Sequence, residues 1–515
     1  MKNIKKLYVL FVALTMFSCT KLNEEFRSEL EISNSGITAD QLLISTYNNI
    51  SQTFQGNANL WAAQEISSDE AIAPTRGPDW DDNGEWRALY LHTWNNNQGQ
   101  VRGTFGDLLN AQFAASNVLQ FSPSAQQAAE ARYLRALSMY WVLDGYDQVP
   151  YRENLIDYKI LPKTLKGLEA LDFIVSELNA ILATLPDTGP AYLANKNAAR
   201  ALLMKIYLNK GVYANRTAPT FSPADMNQVI ALADQIINSN KYSLLDKYFD
   251  NFSPDNNVKS TENIFTFNGD AAANRGGNIR GFAFMVSHYN MNPGGWNGFS
   301  TLSDFYDKFD AADKRLGGFY TYPGSLPNPG SRQNIGFLIG QQYNLTTGAA
   351  LQDRKGAPLS FTRAVKLRET GNDLEVTGIR PIKYAFDYAT PGDQKNNDFA
   401  VFRLADVLLM KAEAILRGGT GTAAGSYGST AVDIVNKIRA KRGVADFTSI
   451  TLNSLYDERG REMYWEGYRR QDQIRFGRYL LAFQEKPASD PKSLLFPIPG
   501  DQLAANPNLA QNPGY

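Results

Sequence analysis

Several stretches of the chain repeat apolar residues with the period of an α-helix, and this pattern limits the folds available to it. In residues 129–143, Leu134, Leu137 and Trp141 lie three and seven positions apart on one helical face. Residues 198–209 and 402–419 carry similar stripes, and the second of these ends at two glycines. We therefore predict a mostly α-helical protein.

Local signals indicate where further helices begin. Ser222, Pro223 and Asp225 combine a capping hydroxyl, a proline at the first helical position and an acid in the first turn. Other helices are predicted at about 431–442 and 453–468. Small and large apolar residues alternate as in stacked helical hairpins, although no regular repeat of tetratricopeptide length is visible. The predicted fold is a scaffold of tetratricopeptide-like helical hairpins.

The helical period fades between residues 246 and 400, where glycine, asparagine, proline and aromatic residues increase. The segment NPGGWNG at 292–298 is one example. Polar loops on a rigid scaffold often form binding sites, so we expect 246–400 to be a loop-rich insertion that forms much of a ligand face. An insertion without a ligand is the alternative. Helical regions at 19–245 and 401–515 flank it, and the second ends in an extended tail.

The charge balance and the rarity of histidine and cysteine limit the functions that the protein can have. With 51 basic and 52 acidic residues the net charge is −1, so we expect no nucleic-acid partner. The chain has two histidines, His92 and His288, and one cysteine, Cys19. Neither histidine lies in a zinc-protease or nucleophile-elbow motif. We therefore exclude a cysteine nucleophile, a cysteine-rich zinc site and a disulfide framework for the folded body, and we expect two ordinary histidines, no cofactor and no metal site.

The first residues predict a lipoprotein signal peptide. A lysine-rich start precedes an apolar run at 7–17 that is too short to cross a bilayer as a helix. Ser18 and Cys19 follow, and a small residue before the sole cysteine is similar to a bacterial lipobox. We predict cleavage after residues 1–18 and membrane anchoring through acylated Cys19. A secretory signal with an incidental cysteine is the alternative.

Four stretches, in chain order, resemble segments of the SusD/RagB family of nutrient-binding outer-membrane lipoproteins. Residues 130–151 are similar to its helix with a Leu-Arg-Ala core and a Gly-x-Val-Pro-like turn, although Asp147-Gln148 stands where the family more often has Gly-Asp. The other three are 403–414, with Arg-x-Ala-Asp; 458–477, with Glu-Arg and Glu-Gly-x-Arg; and 496–515, with Pro-Ile-Pro and a Gln-Asn-Pro-Gly-Tyr ending. With the lipobox-like start, the resemblance spans nearly the whole chain.

The resemblance implies a cell-surface lipoprotein, anchored in the outer membrane, that binds an oligosaccharide or polysaccharide. Such proteins deliver the ligand to a SusC-like TonB-dependent transporter for nutrient uptake. They are not usually enzymes, and their ligands range from starch and other glycans to peptides. The expected partners are therefore the transporter, a glycan and, through Cys19, the outer-membrane lipid.

The acidic motif after residue 457 has a structural and a chemical interpretation. Glu458, Glu462 and Glu466 fall on one helical face, four residues apart, with arginines near enough to pair with them. Asp406 and Glu413 are likewise expected in buried or partly buried ion pairs. An acid/base site on Glu458 and Glu462 is the alternative, but the sequence offers no nucleophile to accompany it.

Sugar recognition needs aromatic rings for the apolar faces of the sugar and polar side chains for its hydroxyls. Trp296 is the leading stacking candidate, because family members present a ligand aromatic from a comparable Gly-Trp loop. Trp80, between two aspartates, is the second. Trp141 and Trp465 lie inside helical patterns and are expected in the core.

Other residues complete the predicted site. The candidates for contacts with sugar hydroxyls are Asp69, Arg76 and Asp81, and the weaker aromatic candidates are Tyr289 and Tyr384. Each has a plain alternative as a packing aromatic or a loop ion pair.

The stretch DWDDNGEW at 79–86 matches the first half of a calcium loop, with oxygen ligands at alternate positions followed by glycine. The second half fails, because Tyr90 stands where a bidentate glutamate is required. We therefore interpret the stretch as one wall of a sugar site, with Trp80 as platform and Asp81 as hydroxyl acceptor. A turn with packing tryptophans is the alternative.

Two other classes of function stay open from the sequence. A surface glycoside hydrolase needs two carboxylates at a defined separation, and Asp69 with Glu70 or Asp81 with Asp82 are the neighbouring pairs. A helical scaffold that binds only protein or peptide needs neither a sugar site nor a catalytic pair.

Overall fold

The helices of the computed structural model follow the apolar periodicity of the sequence. The structure describes residues 36–152, 155, 159–273 and 281–515, and the predicted signal peptide and Cys19 lie outside this part of the chain. The longer helices span Ala39–Gln55, Gly99–Val118, Ala125–Tyr146, Gly167–Ile181, Lys196–Ala214, Pro223–Ile237, Leu404–Leu416, Ala431–Arg442 and Leu452–Met463. Shorter ones span Leu60–Glu65, Glu85–Leu91, Asn256–Lys259, Gly281–Phe284, Ser303–Tyr306, Arg469–Arg475 and Gly500–Ala505. The predicted mostly α fold is confirmed.

Side-chain caps fix the helix starts. The Ser222 hydroxyl accepts a hydrogen bond from the Ala224 amide at 3.2 Å, and Pro223 opens the helix, as predicted. Ser124 and Gln127 cap the helix Ala125–Tyr146 reciprocally.

One predicted helix ends earlier than expected. The helix predicted at 453–468 stops at Met463, and a separate helix starts at Arg469. Between them Trp465 and Gly467 adopt φ angles of 60° and 84°, which are left-handed and incompatible with a continuing α-helix. At this break Trp465 is buried against Trp61.

Helices that follow one another in sequence pack together. Gly99–Val118 packs on Ala125–Tyr146, Lys196–Ala214 on Pro223–Ile237, and Leu404–Leu416 on Ala431–Arg442. The alanines at the start of Lys196–Ala214 are buried, which lets neighbouring helices approach closely. Their tetratricopeptide-like character and the three-region division of the chain stay predictions.

Short strands pair between distant segments, and most of them lie in the region 246–400, which is otherwise largely turns and irregular loops. The pairs are Thr75–Arg76 with Arg368–Glu369 (parallel), and Asn263–Phe267 with Phe399–Arg403, Gln148–Tyr151 with Lys163–Lys166, and Gly340–Gln341 with Ser360–Phe361 (antiparallel). A three-stranded sheet places Ile335–Leu338 between Gly317–Gly318 and Arg380–Ile382. The parallel pair, in which Thr75 lies opposite Arg368, brings the segment after Arg76 next to the loop-rich region.

The aromatic core extends to the surface that carries the site. Trp141 and Trp465 are 3% and 1% exposed, so the prediction that they belong to the core is confirmed. Trp61 packs against Trp465 at 5.0 Å between ring centroids, and it stacks on Phe299 at 5.6 Å. Phe299 in turn contacts Trp80 at 5.3 Å, so the core supports that residue from below.

A buried cluster of charges joins distant segments, and we call it the Glu462 cluster. The Glu462 carboxylate accepts hydrogen bonds from Arg403 at 2.7 Å, from Arg442 at 2.8 and 3.0 Å, and from Arg315 at 3.1 Å. Glu458 and Glu466 extend the cluster, and all of these side chains are buried. The predicted pairing of these glutamates with arginines is confirmed, but the three arginines on Glu462 all come from outside its own helix. Of the nearby arginines expected as partners, Arg461 pairs with Glu458, whereas Arg469 and Arg470 pair with Asp69 and Asp144.

The other predicted ion pairs are also buried. Asp406 pairs with Lys205 at 2.9 Å and with Arg459 at 3.1 Å. Glu413 pairs with Arg475 and Arg417, each at 2.7 Å. These carboxylates therefore serve the scaffold. Within the described part of the chain, no helix has the length and apolarity needed to span a membrane.

Candidate ligand-binding site

Trp296 stands at the tip of a loop that folds back on itself. The Trp296 amide donates to the Phe284 carbonyl oxygen at 2.7 Å, and the Asn297 amide donates to that of Ser287 at 2.9 Å. A Cβ on Gly295 would lie 2.4 Å from the Ser287 carbonyl oxygen, so this turn requires glycine. The loop leaves the Trp296 side chain 52% exposed, as a ligand platform requires.

Trp80 lies beside Trp296. The indole Nε1 of Trp80 donates a hydrogen bond to the Trp296 carbonyl oxygen at 2.8 Å. Gly298 makes this approach possible, because a Cβ there would be 2.2 Å from the Trp80 ring. The Trp80 ring also packs on Trp86 at 5.7 Å and remains partly exposed. The structure therefore brings the two leading candidates onto one surface.

Tyr289 joins the same surface through a polar rim. Its hydroxyl donates to Asp79 at 3.1 Å, and the Arg354 guanidinium lies 4.1 Å from its ring centroid. Arg354 also bonds Glu375 at 2.6 Å and lies 3.4 Å from Asp79. Arg354 and Asp79 are 51% and 42% exposed, so both present hydrogen-bonding groups to solvent. We call these residues, with His288, the polar rim.

Hydrogen bonds and an ion pair hold the side chains of the polar rim in place. The Asn290 amide donates to His288 Nδ1 at 3.1 Å, which leaves His288 Nε2 to donate to Glu375 at 2.8 Å. Burial lowers the pKa of His288, although Glu375 opposes the shift. Burial tends to raise the pKa of Glu375, but bonds from the Arg354 amide, His288 and the Arg354 guanidinium lower it overall. Glu375 therefore stays ionised and holds Arg354 in place.

Asp81 lies at the edge of this surface. It pairs with Arg87 at 2.6 Å and approaches Arg368 at 4.0 Å, and its side chain is 40% exposed. The neighbouring Asp82 accepts a hydrogen bond from the Trp86 indole at 2.7 Å. The carboxylates of DWDDNGEW thus point to different donors. Among the described residues, no group of three or more histidine, cysteine or acidic side chains is arranged to hold a metal ion.

The structure contradicts three of the site residues predicted from the sequence, because their side chains lie away from the aromatic surface formed by Trp80 and Trp296. Tyr384 is 3% exposed and stacks on Phe399 at 5.9 Å, so it belongs to the core. Arg76 is buried and donates to Leu374, Thr377 and Ser300, so it fastens the loop-rich region from inside. Asp69 is held by Arg469 through two bonds of 2.6 and 3.0 Å, so its carboxylate serves the scaffold.

Four residues of the polar rim were not predicted from the sequence: His288, which was expected to have no special role, and Asp79, Arg354 and Glu375. Asp79 directly precedes Trp80 in DWDDNGEW, and this position next to a predicted stacking residue could have identified it as a site residue. Arg354 and Glu375 lie in segments without a distinctive local pattern and meet Tyr289 only in the folded chain.

The fold is a helical scaffold, and the candidate site is an aromatic surface with a polar rim. The chain belongs to the SusD family, whose family model matches residues 232–491. It is 28% identical over 429 residues to the starch-binding protein SusD of Bacteroides thetaiotaomicron, a match that covers 76% of this chain and 73% of that protein.

Solved structures share the fold. A SusD superfamily protein from Parabacteroides distasonis has a TM-score of 0.70 at 18% identity, and the match covers 93% of this chain and 100% of that one. Surface glycan-binding protein A from Bacteroides thetaiotaomicron, solved in complex with laminarihexaose, has a TM-score of 0.65 at 18% identity, covering 92% and 98%. At these identities the likeness establishes the fold.

Proposed function

We propose that the protein binds an oligosaccharide or polysaccharide at the surface formed by Trp80, Trp296 and Tyr289. The observation that carries this proposal is a half-exposed tryptophan fixed next to a second one by a hydrogen bond, with Asp79 and Arg354 at the rim. Flat aromatic faces stack on the C–H faces of sugar rings, and carboxylate and guanidinium groups bind their hydroxyls. The name of the starch-binding relative supports the ligand class.

We propose binding without catalysis. The four carboxylates considered for hydrolysis each accept a hydrogen bond from a fixed donor. Arg469 binds Asp69, the Trp465 amide binds Glu70, Arg87 binds Asp81, and Trp86 binds Asp82. Two of the matched proteins are named for binding starch or glycans. Release of reducing sugar by the purified protein would argue for the hydrolase alternative.

We further propose that the protein works at the outer membrane, anchored through acylated Cys19, and hands its ligand to a TonB-dependent transporter. The lipobox-like sequence and the family membership support this role. Incorporation of labelled palmitate into the full chain tests the anchor, and Cys19→Ala should abolish it. Copurification of a barrel protein with the full chain from native membranes tests the transporter partner.

The binding proposal is tested by calorimetric titration with a panel of glycans and peptides. Trp296→Ala should weaken binding of a retained glycan by about 30-fold, because a buried aromatic contact contributes about 2 kcal/mol. Phe113→Ala is the matched control, since Phe113 is an aromatic of equal exposure, at 53%, on the helix Gly99–Val118. The proposal would be contradicted if the protein bound only peptides. It would also be contradicted if Trp80→Ala and Trp296→Ala bound glycan as tightly as wild type.

A further inference from the structure

An open groove runs along one edge of the three-stranded sheet in the loop-rich region. Its volume is about 540 Å³, a size typical of binding sites. One wall is the segment 246–249, and the other begins with Gly317–Gly318, the edge strand of this sheet, and continues to residue 321. We call it the edge groove. It shares no residue with the polar rim or with the pair formed by Trp80 and Trp296.

The backbone that follows the edge strand alternates between paired and unpaired residues. The Tyr320 amide donates to Asn334 Oδ1 at 2.9 Å, and the Tyr320 carbonyl oxygen accepts a hydrogen bond from Asn334 Nδ2 at 2.8 Å. Within the described part of the chain, the amides and carbonyl oxygens of Phe319 and Thr321 have no hydrogen-bond partner. An edge strand leaves alternate residues unpaired in this way. The groove therefore offers donors and acceptors with the spacing that an added strand requires.

An exposed aromatic side chain lies on the same edge. The Phe319 side chain is 52% exposed and lines the groove. The next residue, Tyr320, is held by the protein itself, because its hydroxyl donates to Asp250 at 2.7 Å and its ring stacks on Tyr322 at 5.3 Å. Covering the Phe319 ring would add hydrophobic free energy to the backbone hydrogen bonds of an added strand.

Two lysines make the edge groove electropositive. Lys247 forms no ion pair within the described part of the chain, and the Lys314 ammonium donates to the Lys441 carbonyl oxygen at 3.3 Å. Asp246 is the acidic residue among the described residues of the lining, and Lys441, from outside the lining, pairs with it at 2.8 Å. Because Lys441 balances the charge of Asp246, Lys247 and Lys314 are left to attract an anionic ligand.

We propose that the edge groove binds an extended, acidic peptide segment of another protein as an added β-strand. The backbone of the segment pairs with Phe319 and Thr321, an apolar side chain covers the Phe319 ring, and its carboxylates face Lys247 and Lys314. This interaction goes beyond the proposed glycan binding, because it uses a different surface of the protein.

Two other occupants account for fewer of these observations. A second copy of this chain, paired edge to edge, would bring its own Lys247 and Lys314 toward those of the first copy, and like charges on paired strands repel. The lysines would attract an anionic polysaccharide, but such a chain does not repeat an amide and a carbonyl with the period of a strand.

Fluorescence anisotropy with a labelled octapeptide of alternating glutamate and valine tests this inference. We expect the peptide to bind the purified protein at least about tenfold more tightly than the matching lysine–valine peptide, because only the first complements the lysines. Added salt should weaken its binding. A version N-methylated at alternate residues lacks the donors of one strand edge and should bind at least about tenfold more weakly.

Surface substitutions locate the bound peptide. Lys247→Glu, Lys314→Glu and Phe319→Ala should each weaken the glutamate–valine peptide about fivefold, the first two by reversing a charge and the third by removing the apolar contact. Lys166→Glu reverses the charge of an exposed lysine outside the groove, and Phe113→Ala removes a ring of similar exposure, 53%. Both controls should bind the peptide as wild type does. All five side chains are exposed, so the unfolding temperature should stay unchanged.

Several results would overturn the inference. One is equal affinity for the glutamate and lysine peptides, and another is wild-type affinity in Lys247→Glu, Lys314→Glu and Phe319→Ala. Hexagalacturonate that displaces the peptide and binds more tightly would assign the groove to an anionic glycan. Self-association that Phe319→Ala abolishes would assign it to a second copy.

The same measurements separate this inference from the proposed function. Trp296→Ala should leave the affinity for the peptide unchanged, whereas Lys314→Glu should leave the affinity for a glycan unchanged. Peptide binding without any glycan binding would support the edge groove and contradict the proposed function. Glycan binding without peptide binding would have the opposite meaning.

Discussion

The indole nitrogen of Trp80 bonds the carbonyl oxygen of Trp296 at 2.8 Å, across 216 residues of sequence. Each tryptophan sits on a separate loop, and the bond makes the position of one depend on the other. Phe299 supports Trp80 from the core side, so the pair is fixed from below as well as laterally. A ligand that stacks on both rings therefore meets a surface arranged before binding.

Trp80→Phe should separate this hydrogen bond from the aromatic surface. The variant keeps a ring but removes the donor, and one hydrogen bond contributes about 1 kcal/mol, so glycan affinity should fall about fivefold. Hydrogen exchange in the loop 292–298 should become faster. Trp86→Phe is the control, because its indole bonds Asp82 instead. Unchanged affinity and exchange in Trp80→Phe would show that the bond plays no part in ordering the loop.

Gly298→Ala should disable the site while the scaffold stays folded. The added Cβ would lie 2.2 Å from the Trp80 ring, so Trp80 must move. We expect a loss of glycan affinity of at least about tenfold, with little change in the unfolding temperature. Gly106→Ala has open space around its Cβ inside a helix and should leave binding unchanged. Affinity equal to wild type in Gly298→Ala would contradict this account.

Glu462→Gln should destabilise the scaffold strongly. Removing this charge leaves Arg315, Arg403 and Arg442 short of a buried counter-charge, which costs about 3–5 kcal/mol in free energy of unfolding. The control is Asp187→Asn, which breaks the solvent-exposed pair with Lys196 and should cost less than about 1 kcal/mol. Urea unfolding measures both; similar losses in the two variants would disprove the special role of the Glu462 cluster.

The pair of Glu65 and Glu70 should make stability depend on pH. Burial raises the pKa of Glu65 from 4.5 to about 7, although bonds from Glu70 and the Gly467 and Tyr468 amides oppose the shift, and burial also raises the pKa of Glu70. The folded state therefore holds the Glu65 proton more tightly than the unfolded state. The stability from this group is complete below pH 4.5 and is lost as pH rises through 7.

Glu65→Gln tests this dependence, because glutamine keeps the shape and carries no titrating proton. Between pH 4.5 and 7 the free energy of unfolding should fall less steeply in the variant than in wild type. The surface substitution Glu169→Gln should follow the wild-type curve. Urea unfolding at several pH values gives the slopes, and parallel slopes for wild type and Glu65→Gln would refute the assignment.

Local sequence patterns predicted the helices well, because the apolar periodicity and the capping residues that identify a helix lie within its own segment. The span 431–442 agrees with Ala431–Arg442, and the start at Pro223 was visible in its cap. The predicted helix at 453–468 overran its end, because the left-handed backbone at Trp465 depends on packing with distant residues such as Trp61. Gly467 was the local sequence feature that indicated an earlier end of this helix.

Residue type identified the aromatic side chains of the candidate site, but the sequence did not show which of them are buried. Trp80, Trp296 and Tyr289 meet on one surface, whereas Tyr384, chosen for the same reason, is covered by Phe399. Sequence alone does not distinguish two such tyrosines, because burial arises from contacts between distant segments. The polar rim has the same origin, since its members come together only through tertiary structure.

The charged groups of this protein should differ in their response to dissolved salt, because the Glu462 cluster is buried whereas the polar rim is exposed. Mobile ions cannot enter between Glu462 and Arg442, both fully buried, so that attraction keeps its strength when ionic strength rises. The Arg354–Asp79 contact at the rim is about half exposed and is screened. When salinity varies, we therefore expect the scaffold to keep its stability, whereas any ionic contact between the polar rim and the proposed ligand should weaken as salt increases.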